Sequence, residues 1–315
     1  MCIRDRDIGF QTDSNFGNAQ LVRSTYEKVN ENFSSLKNDY SHTPIVTGFL
    51  AKDSKNNITT LGRGGSDLTA SVIGAAMSCT EIQVWKDVNG IMTTDPRTVP
   101  EAQPVPFVSF EEASELAFFG AKVLHPRSIV PAMKKGIPVR VKNSYNPEHI
   151  GSVILSDEEN EKQDKPFVKA LTCKRNVTLV DIVSSRMLGQ YGFLAKVFEI
   201  FNRHKISVDM LASSEVSISL TLNDDTGIEL ALEELKEVAS TVKVANEKAI
   251  VSIIGDVKRS HDILSKSCQV FSEQKIGIEM LSQGASKVNI GFVVKDSEVD
   301  SCIKNLHKEF FPIKA

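Results

Sequence analysis

The chain has 315 residues, of which 41% are hydrophobic and 24% charged, and its formal net charge is −3. Such a composition is typical of a globular protein with two or three domains and argues against wholesale disorder. The charge gives no reason to expect a nucleic-acid or membrane-surface partner, and no apolar run is long enough to cross a bilayer.

The 5 cysteines are far apart in the sequence and form no C-x-x-C pair. A dispersed, odd-numbered set favours reduced thiols over a disulfide framework or a structural zinc site. The first ten residues lack the apolar run that a secretory signal requires. We therefore predict a cytoplasmic protein without a structural metal.

The first half of the chain alternates short strands and helices. Strands are predicted at Ile45–Leu50, Ile58–Leu61, Glu81–Trp85 and Pro138–Val141, and helices at Leu68–Cys79, Phe110–Phe119 and Ser128–Lys135. Ser66 or Asp67 is the expected cap of the first helix, and Gly136 is the expected end of the last one. This alternation predicts an α/β domain with a largely parallel sheet over residues 1–155.

A polar run without apolar periodicity covers residues 156–166 and ends in Pro166, as linkers between domains do. Beyond the linker, Lys205–Leu211 is similar to Lys275–Leu281, which lies 70 residues later. Similarity at a fixed offset indicates duplicated units, and each copy has the β-α-β-β-α-β order of a ferredoxin-like fold.

The two copies are assigned to residues 167–247 and 248–315. Val168–Thr172 and Val177–Ser184 both have strand character, which gives the first copy one strand too many, while the second copy is one strand short. We therefore expect Val168–Thr172 to complete the sheet of the second copy, so that the two copies fold as one body.

The most informative local feature is the glycine-rich run Gly62–Asp67. Its glycines allow a close backbone approach to a ligand, and the helix that follows presents N–H groups suited to an anion. Arg63 offers a fork for a carboxylate or a phosphate, and Asp67 suits an ammonium group or a metal-bound water. An ordinary strand-to-helix turn has the same composition, and composition alone does not decide between these interpretations.

A second feature, Trp85–Arg97, follows a predicted strand and carries Lys86, Asp87 and Arg97 around two turns. Ligands bind at the carboxyl ends of strands in α/β sheets, which makes these residues candidates. A solvated hairpin is the alternative.

The third feature is Phe119–Pro126, in which Lys122 is a single cation in an apolar, glycine-containing segment. A lysine in this setting can place a point charge on a phosphate, although a lysine at the rim of a helix is equally consistent. His125 has no neighbour at metal-ligand spacing, so no metal role is assigned to it.

Together the segments TLGRGGSD, VWKDVNGIMTTDPR and FGAKVLHP resemble the signatures of aspartokinases, members of the amino-acid kinase superfamily. Thr12–Gly17 and Pro44–Gly48 fit the same family, and the duplicated C-terminal units resemble its tandem ACT domains. Arg186–Ala195 is most similar to the lysine-sensitive monofunctional type. The resemblance implies the C-terminal part of an α/β, carbamate-kinase-like domain followed by two α+β ferredoxin-like ACT units.

The implied reaction is phosphoryl transfer from ATP, as its Mg²⁺ complex, to the side-chain carboxylate of L-aspartate. The product would be 4-phospho-L-aspartate, in the first step towards lysine, threonine and methionine. The motifs imply a substrate-binding set of Arg63, Gly64, Gly65, Ser66 and Asp67. They imply a nucleotide-binding set of Lys86, Asp87, Met92, Arg97 and Lys122. In the enterobacterial lysine-sensitive pattern, Thr stands at the position of Lys86 and Tyr at that of Met92.

The first ACT unit is the implied effector site, with lysine as the expected effector. Asp209 would bind the α-ammonium group, and the backbone around Gly192 the carboxylate. The full implied set is Met187, Gln190, Gly192, Phe193, Leu194, Ser207, Val208, Asp209, Ser214 and Glu215. Ser214 and Glu215 would complete the pocket across a homodimer formed through the ACT units. Without the family, the pattern favours the interpretation that Met187, Phe193 and Leu194 are core residues and Asp209 a charge at the end of a strand.

The second copy has Glu279 at the position of Asp209 but lacks the glycine loop, so we expect it to be structural. The family's N-terminal Lys-x-Gly-Gly-Thr/Ser loop has no counterpart, and we expect the N-terminal lobe to be missing. A catalytically incomplete fragment that acts only as an amino-acid-binding regulatory module is therefore the alternative function. Another amino-acid kinase, such as one acting on glutamate, is disfavoured by the second and third motifs.

Overall fold

The structure is a computed structural model that describes residues 2–34, 43–121, 124–163, 166–184, 191–223, 226–284 and 286–312. The chain divides into two compact units. Unit 1 comprises Met1–Thr93 and Ala102–Lys169, and unit 2 comprises Thr94–Glu101 and Ala170–Ala315. The domain boundaries inferred from the sequence stay a prediction.

Unit 1 contains eight strands, five α-helices and one short 3-10 helix, Asp5–Ile8, among its described residues. The strands are β1 (Cys2–Ile3), β2 (Ile45–Val46), β3 (Leu50–Lys52), β4 (Ile58–Thr60), β5 (Ile82–Lys86), β6 (Phe107–Ser109), β7 (Val139–Asn143) and β8 (Ser152–Leu155). The helices are α1 (Ser24–Ser34), α2 (Gly65–Met77), α3 (Phe110–Phe118), α4 (Pro126–Lys135) and α5 (Asp157–Glu161). The main sheet has the order β5-β7-β8-β6, and two of its three pairings are parallel.

The first predicted helix begins earlier than expected and has a different cap. Helix α2 starts at Gly65, and its N-cap is Gly64 in the left-handed conformation, with φ 73°. No described side chain caps it, so the prediction of Ser66 or Asp67 as the cap is wrong. The left-handed turn that glycine allows already sets the entry angle of the chain.

Two other local predictions had opposite outcomes. Ile45–Leu50 is not one strand, because the chain breaks at Phe49, whose φ is 81°, to pass over the start of α2. The expected end of α4 at Gly136 is confirmed by a left-handed residue that closes the helix.

The start of α2 rests on a closed apolar core. The fully buried side chains of Phe10, Val29, Ala51 and Leu61 pack with the first turns of α2, as part of a cluster that joins α1 and β3 to that helix. Close packing of this kind resists displacement of the elements that it joins.

A buried ion pair holds the end of unit 1 together. The Nζ atom of Lys169, whose side chain is 2% exposed, donates to Glu112 Oε2 at 2.7 Å, Asn160 Oδ1 at 2.8 Å and the Phe107 carbonyl at 2.9 Å. Glu112 also closes the capping box of α3 with Ser109. The charges of the pair are therefore compensated by hydrogen bonds, as a buried pair requires.

Unit 2 is built around one sheet with helices. Its elements are β9 (Val168–Val183), α6 (Phe193–Arg203), β10 (Val208–Ser213), β11 (Ser217–Leu222), α7 (Ile228–Val238), β12 (Thr241–Gly255), α8 (Ser260–Gln274), β13 (Met280–Ser282), β14 (Asn289–Lys295) and α9 (Val299–Phe310). The strand order is β10-β11-β9-β12-β14-β13.

Each copy has the predicted ferredoxin-like order, and two strands serve both copies. In β10-β11-β9-β12 the first copy shows its second, third, first and fourth strands. The series β13-β14-β12-β9 gives the same order for the second copy, with β9 as its fourth strand. The placement of β9 beside β12 supports the expectation that Val168–Thr172 belongs to the second copy. Which residues of β9 complete the sheet of that copy stays a prediction.

The two strands predicted at Val168–Thr172 and Val177–Ser184 form one continuous strand, which corrects the prediction of separate strands. The joint lies at Asn176, whose φ is 55°. The Asn176 amide donates to Asp296 Oδ1, and the Arg175 guanidinium pairs with Asp296 and Asp300. These contacts stabilise the left-handed residue within an unbroken strand.

Candidate substrate, nucleotide and effector sites

The glycine-rich turn before α2 fits only glycine at two consecutive positions. A Cβ atom on Gly64 would lie 2.6 Å from His125 Cβ, and one on Gly65 would lie 2.8 Å from Phe49 Cδ2. Both separations are far below a normal carbon–carbon contact of ~3.5–4 Å. The turn is therefore held by close packing as well as by its backbone conformation.

Segments distant in sequence converge on this turn. A Cβ atom on Gly62 would meet Asn18 Oδ1 at 2.8 Å, and one on Gly48 would meet Ser66 Cα at 3.1 Å. The Gly62 Cβ atom would also meet the Gly17 carbonyl oxygen at 3.3 Å. Three segments of the family resemblance, Thr12–Gly17, Pro44–Gly48 and Phe119–Pro126, therefore each place a residue against the glycine-rich run.

A pocket of about 240 Å³ opens beside the turn and is lined by Gly17, Asn18, Gln20, Gly62, Arg63, His125 and Arg127. Arg127 donates to the carbonyl oxygens of Ala19 and Leu61 and to the side chain of Asn18, so it fixes the pocket wall. Arg63 is exposed at the pocket. The arrangement presents positive charge to a small anion.

His125 lines the pocket, a position that the sequence alone does not predict. Burial, and then the charges of Arg63 and Arg127, lower the pKa of the His125 imidazole. Its Nδ1 atom accepts the Arg127 backbone N–H as the N-cap of α4. The proton of the neutral ring therefore lies on Nε2. The His-Pro pair was the available signal, since proline favours the first position of a helix.

Lys86 and Asp67 join the predicted nucleotide set to the predicted substrate set. The Lys86 Nζ atom lies 2.8 Å and 3.1 Å from the two carboxylate oxygens of Asp67. Lys86 ends β5, and Asp67 lies in the first turn of α2. The pair is partly exposed, at 30% for Lys86 and 18% for Asp67, so both groups remain accessible to a ligand.

The remaining nucleotide candidates are more scattered. Asp87 is exposed, and Met92 is half-buried in a bridge with Pro104. Arg97 forms a forked ion pair with Asp95 in a segment that belongs to unit 2. Lys122 lies outside the described residues. The structure therefore brings Lys86 to Asp67 of the predicted substrate set, and the nucleotide role of all five residues stays a prediction.

Helix α6 begins in the same manner as α2. Its N-cap is Gly192, with φ 82°, and no side chain within the described ranges caps it. Phe193 is buried in the core of the first copy, and Leu194 is 39% exposed. Met187 and Gln190 lie outside the described residues.

Asp209 lies on a β-bulge of β10. Val208 is opposite Leu222 and Met210 is opposite Thr221, which leaves Asp209 as the extra residue. A bulge redirects the side chain of the extra residue. Its Oδ2 atom lies 2.8 Å from Lys174 Nζ, and the side chains of Asp209 and Lys174 are 4% and 14% exposed.

The other predicted effector residues surround this part of β10. Ser207 is exposed directly before the strand, and Ser214 and Glu215 lie in the exposed turn that follows it. Ser214 Oγ lies 2.7 Å from Ser217 Oγ. In the second copy, Glu279 is also paired, with Lys248 Nζ at 2.6 Å.

Two negative findings concern only the residues described. No group of three or more His, Cys, Asp or Glu side chains among them is placed to hold a metal ion. None of the helices seen in the described ranges combines the length and apolar character needed to cross a membrane.

Comparison with known proteins agrees with this geometry. A profile of the amino acid kinase family matches residues 3–143, and an ACT domain profile matches residues 180–238 and 251–310. The structure of E. coli aspartokinase III in complex with aspartate and ADP superposes with a TM-score of 0.83. It is 34% identical, and the match covers 99% of this chain and 70% of that one.

The chain belongs to the aspartokinase family. Aspartokinase 2 of Arabidopsis thaliana, a chloroplastic protein, is 49% identical over 97% of this chain and 58% of its own length. E. coli aspartokinase III in complex with lysine and aspartate superposes with a TM-score of 0.77 at 35% identity, covering 98% of this chain and 69% of that one. The chain thus spans somewhat more than half the length of the curated relative.

Family membership confirms the resemblance that the motifs suggested. It also confirms the fold class, an amino-acid kinase region followed by ACT domains. The pocket beside Gly62 and the Lys86–Asp67 pair lie in the part matched by the kinase profile. The Lys174–Asp209 pair joins β9 to β10, and β10 lies in the first segment matched by the ACT profile.

Proposed function

We propose that the protein transfers the γ-phosphoryl group of ATP to the side-chain carboxylate of L-aspartate and yields 4-phospho-L-aspartate and ADP. The observation that carries the proposal is the packed glycine turn, with Arg63 at a small pocket and Asp67 bound to Lys86. The aspartate and ADP in the matched E. coli structure support the same reactants.

In this proposal the chain's residues position the reactants and neutralise charge. The carboxylate oxygen forms a bond to the γ-phosphorus, and the bond to the bridging oxygen breaks, so ADP leaves with the electron pair. Little covalent chemistry is required of the protein in such a transfer. Arg63 binds the substrate α-carboxylate, Asp67 its ammonium group, and Lys86 lies between this site and the nucleotide.

Mg²⁺ enters the proposal as part of the nucleotide substrate. Magnesium is commonly bound through substrate phosphates and one or two carboxylates rather than by a protein cage. Asp87 is itself a member of the candidate nucleotide set and is exposed directly after β5, so its carboxylate suits that role. When bound, the ion neutralises charge on the transferring phosphate.

We further propose that lysine regulates the activity through the first ACT unit. The lysine complex of the matched E. coli protein supports this choice. A homodimer through the exposed edge strands β10 and β13 is part of the proposal, because unpaired edges invite pairing with a second copy. The proposed boundaries are 1–155, 156–166, 167–247 and 248–315, and the cytoplasm is the proposed location.

The activity is tested with the full chain in an assay that contains L-aspartate, MgATP and hydroxylamine, which traps the acyl phosphate as a hydroxamate. We expect Arg63→Met to lower kcat/KM for aspartate by about 100-fold, because charge-assisted hydrogen bonds are worth ~1.5–3 kcal/mol each. Arg23→Met, at an exposed arginine outside the pocket, is the matched control and keeps the wild-type value.

Two results would contradict the proposal at different points. Without hydroxamate from the wild-type chain, the assignment of catalysis to these 315 residues alone fails. With hydroxamate but an unaffected Arg63→Met variant, the activity stands and the substrate site is elsewhere.

The regulatory module remains the second candidate function. The specific observation in its favour is that unit 2 contains every strand of both ferredoxin-like copies except the first two residues of β9. Calorimetric binding of L-lysine without hydroxamate formation would establish this function instead.

A further inference from the structure

The effector candidate Asp209 is already bound to a cation of the same chain. Lys174 Nζ lies 2.8 Å from Asp209 Oδ2, and both side chains are largely buried. We propose that Lys174 competes with the amino group of the effector for the Asp209 carboxylate, and thereby sets the affinity of the site. This inference rests on the effector site proposed above.

The backbone at Asp209 forms a bulge, and the side chain there meets Lys174. Asp209 is the extra residue of a bulge, whereas its neighbours Val208 and Met210 keep their partners on β11. The Met210 amide donates to Thr221 Oγ1 at 3.1 Å, which anchors the strand beyond the bulge. The direction of the Asp209 side chain is therefore imposed locally, and the cation that meets it comes from β9.

Charge balance turns this contact into a competition. One carboxylate compensates one buried ammonium group, and a second ammonium group at the same place is repelled in a weakly screened environment. An amino acid that binds Asp209 through its α-ammonium group must therefore displace Lys174 from the carboxylate. The apparent association constant is therefore the intrinsic constant multiplied by the fraction of molecules in which Lys174 does not occupy the Asp209 carboxylate.

The side chain of Lys174 is of a type that a ligand amine can displace from the Asp209 carboxylate. Its ammonium group is a compact charge on a flexible stem of four carbons, and its side chain is 14% exposed, so the charged end can move towards water. An arginine would form a planar, forked pair with the same carboxylate and leave it less readily. The residue type at position 174 therefore tunes how easily an amine enters.

The competition is tested by calorimetric titration of the full chain with L-lysine. We expect Lys174→Gln, which keeps a hydrogen-bond donor but removes the charge, to bind L-lysine about 10-fold more tightly than the wild type. Lys174→Met removes the donor as well and is expected to give a similar gain. Lys248→Met, which removes the partner of Glu279 in the second copy, is the matched control and leaves the affinity unchanged.

A second ligand separates competition from a general loosening of the fold. Nα-acetyl-L-lysine lacks the α-ammonium group, so its affinity gains nothing from Lys174→Gln, whereas an unspecific change would affect both ligands alike. Equal or weaker binding of L-lysine by both Lys174 variants would overturn the inference and leave the effector site standing. Failure of the wild type and of both variants to bind L-lysine would overturn the inference and the effector proposal together.

Discussion

Helices α2 and α6 begin in the same way, but the packing around their first residues and the burial of the nearby acidic side chains differ. Each starts at a left-handed glycine, Gly64 with φ 73° or Gly192 with φ 82°, and the described side chains leave both starts uncapped. An acidic residue paired with a lysine belongs to each candidate site, as Asp67–Lys86 and Asp209–Lys174.

The two helix starts differ in how tightly the glycine is packed and in how deeply the acidic side chain is buried. A Cβ atom on Gly64 would collide with His125 at 2.6 Å, whereas no atom of the described part of unit 2 lies within 4 Å of one on Gly192. Asp67 is 18% exposed and Asp209 only 4%. The proposed substrate site thus combines a tightly packed glycine turn with a partly exposed aspartate. The proposed effector site combines a loosely packed glycine turn with a buried aspartate.

This contrast matches the different demands on the two sites. Catalysis requires groups that are already in place when the substrate arrives. Regulation requires two arrangements of similar free energy, between which a ligand can choose. Helix α7 also begins at a left-handed glycine, Gly227, so the glycine start alone does not make a site.

The largest expected effect is on the stability of the two turns. Gly64→Ala combines left-handed strain with overlap against His125 and should cost about 2–4 kcal/mol, whereas Gly192→Ala should cost about 1 kcal/mol from strain alone. The measurement is urea unfolding. Trp85 is the single tryptophan and lies in unit 1, so its fluorescence reports on Gly64→Ala, and circular dichroism reports on both variants. Equal losses would remove the contrast between the turns.

A smaller difference is expected between the two acids. Asp209→Asn removes the Asp209 carboxylate from the largely buried Lys174 ammonium group and should lower the free energy of unfolding by about 2–3 kcal/mol. Asp67→Asn breaks a partly exposed pair and should lower it by less than about 1 kcal/mol. Thermal unfolding of both variants checks the order, and a greater loss for Asp67→Asn would show that exposure does not govern the two pairs.

The smallest effect concerns pH and only one of the two turns. Burial and the neighbouring arginines lower the pKa of His125, so near the ordinary value of about 6.5 the unfolded chain takes up a proton that the folded chain does not. This contribution to stability is complete above that value and is lost as the pH falls towards the lowered pKa. The urea midpoint followed by Trp85 should therefore fall between pH 7.5 and the lowered pKa.

The pH prediction has two controls. His125→Asn should flatten this part of the pH dependence at Trp85. His307→Asn removes the other histidine, among those that the structure describes, whose pKa burial lowers. Because His307 lies in unit 2, this variant should leave the tryptophan signal unchanged. A slope that persists in His125→Asn would assign the proton to another group.

The sequence allowed the fold class to be predicted because periodicity and punctuation are local properties. The end of α4 at Gly136 and the order of elements in both copies follow from them. The first strand prediction failed at Phe49 because packing against α2 breaks the chain there, which no local pattern records. The continuity of β9 likewise depends on Asp296, which is distant in sequence.

The sequence motifs identify the candidate site residues, but they do not identify the side chains that contact those residues. The approach of Lys86 to Asp67 depends on the packing of β5 beside α2, and that of Lys174 to Asp209 depends on the register of β10 against β11. Neither can be read from spacing along the chain. The sequence gives His125 no neighbour at metal-ligand spacing and no sign of Arg63, which the fold brings to it from a distant segment.

The sharing of β9 and β12 makes the two ferredoxin-like copies inseparable as building blocks. Each of these strands supplies the first strand of one copy and the fourth strand of the other. A cut within either strand would leave both copies with an open edge. Any transfer of this regulatory body to another enzyme, by recombination or by design, must therefore move the pair as one piece.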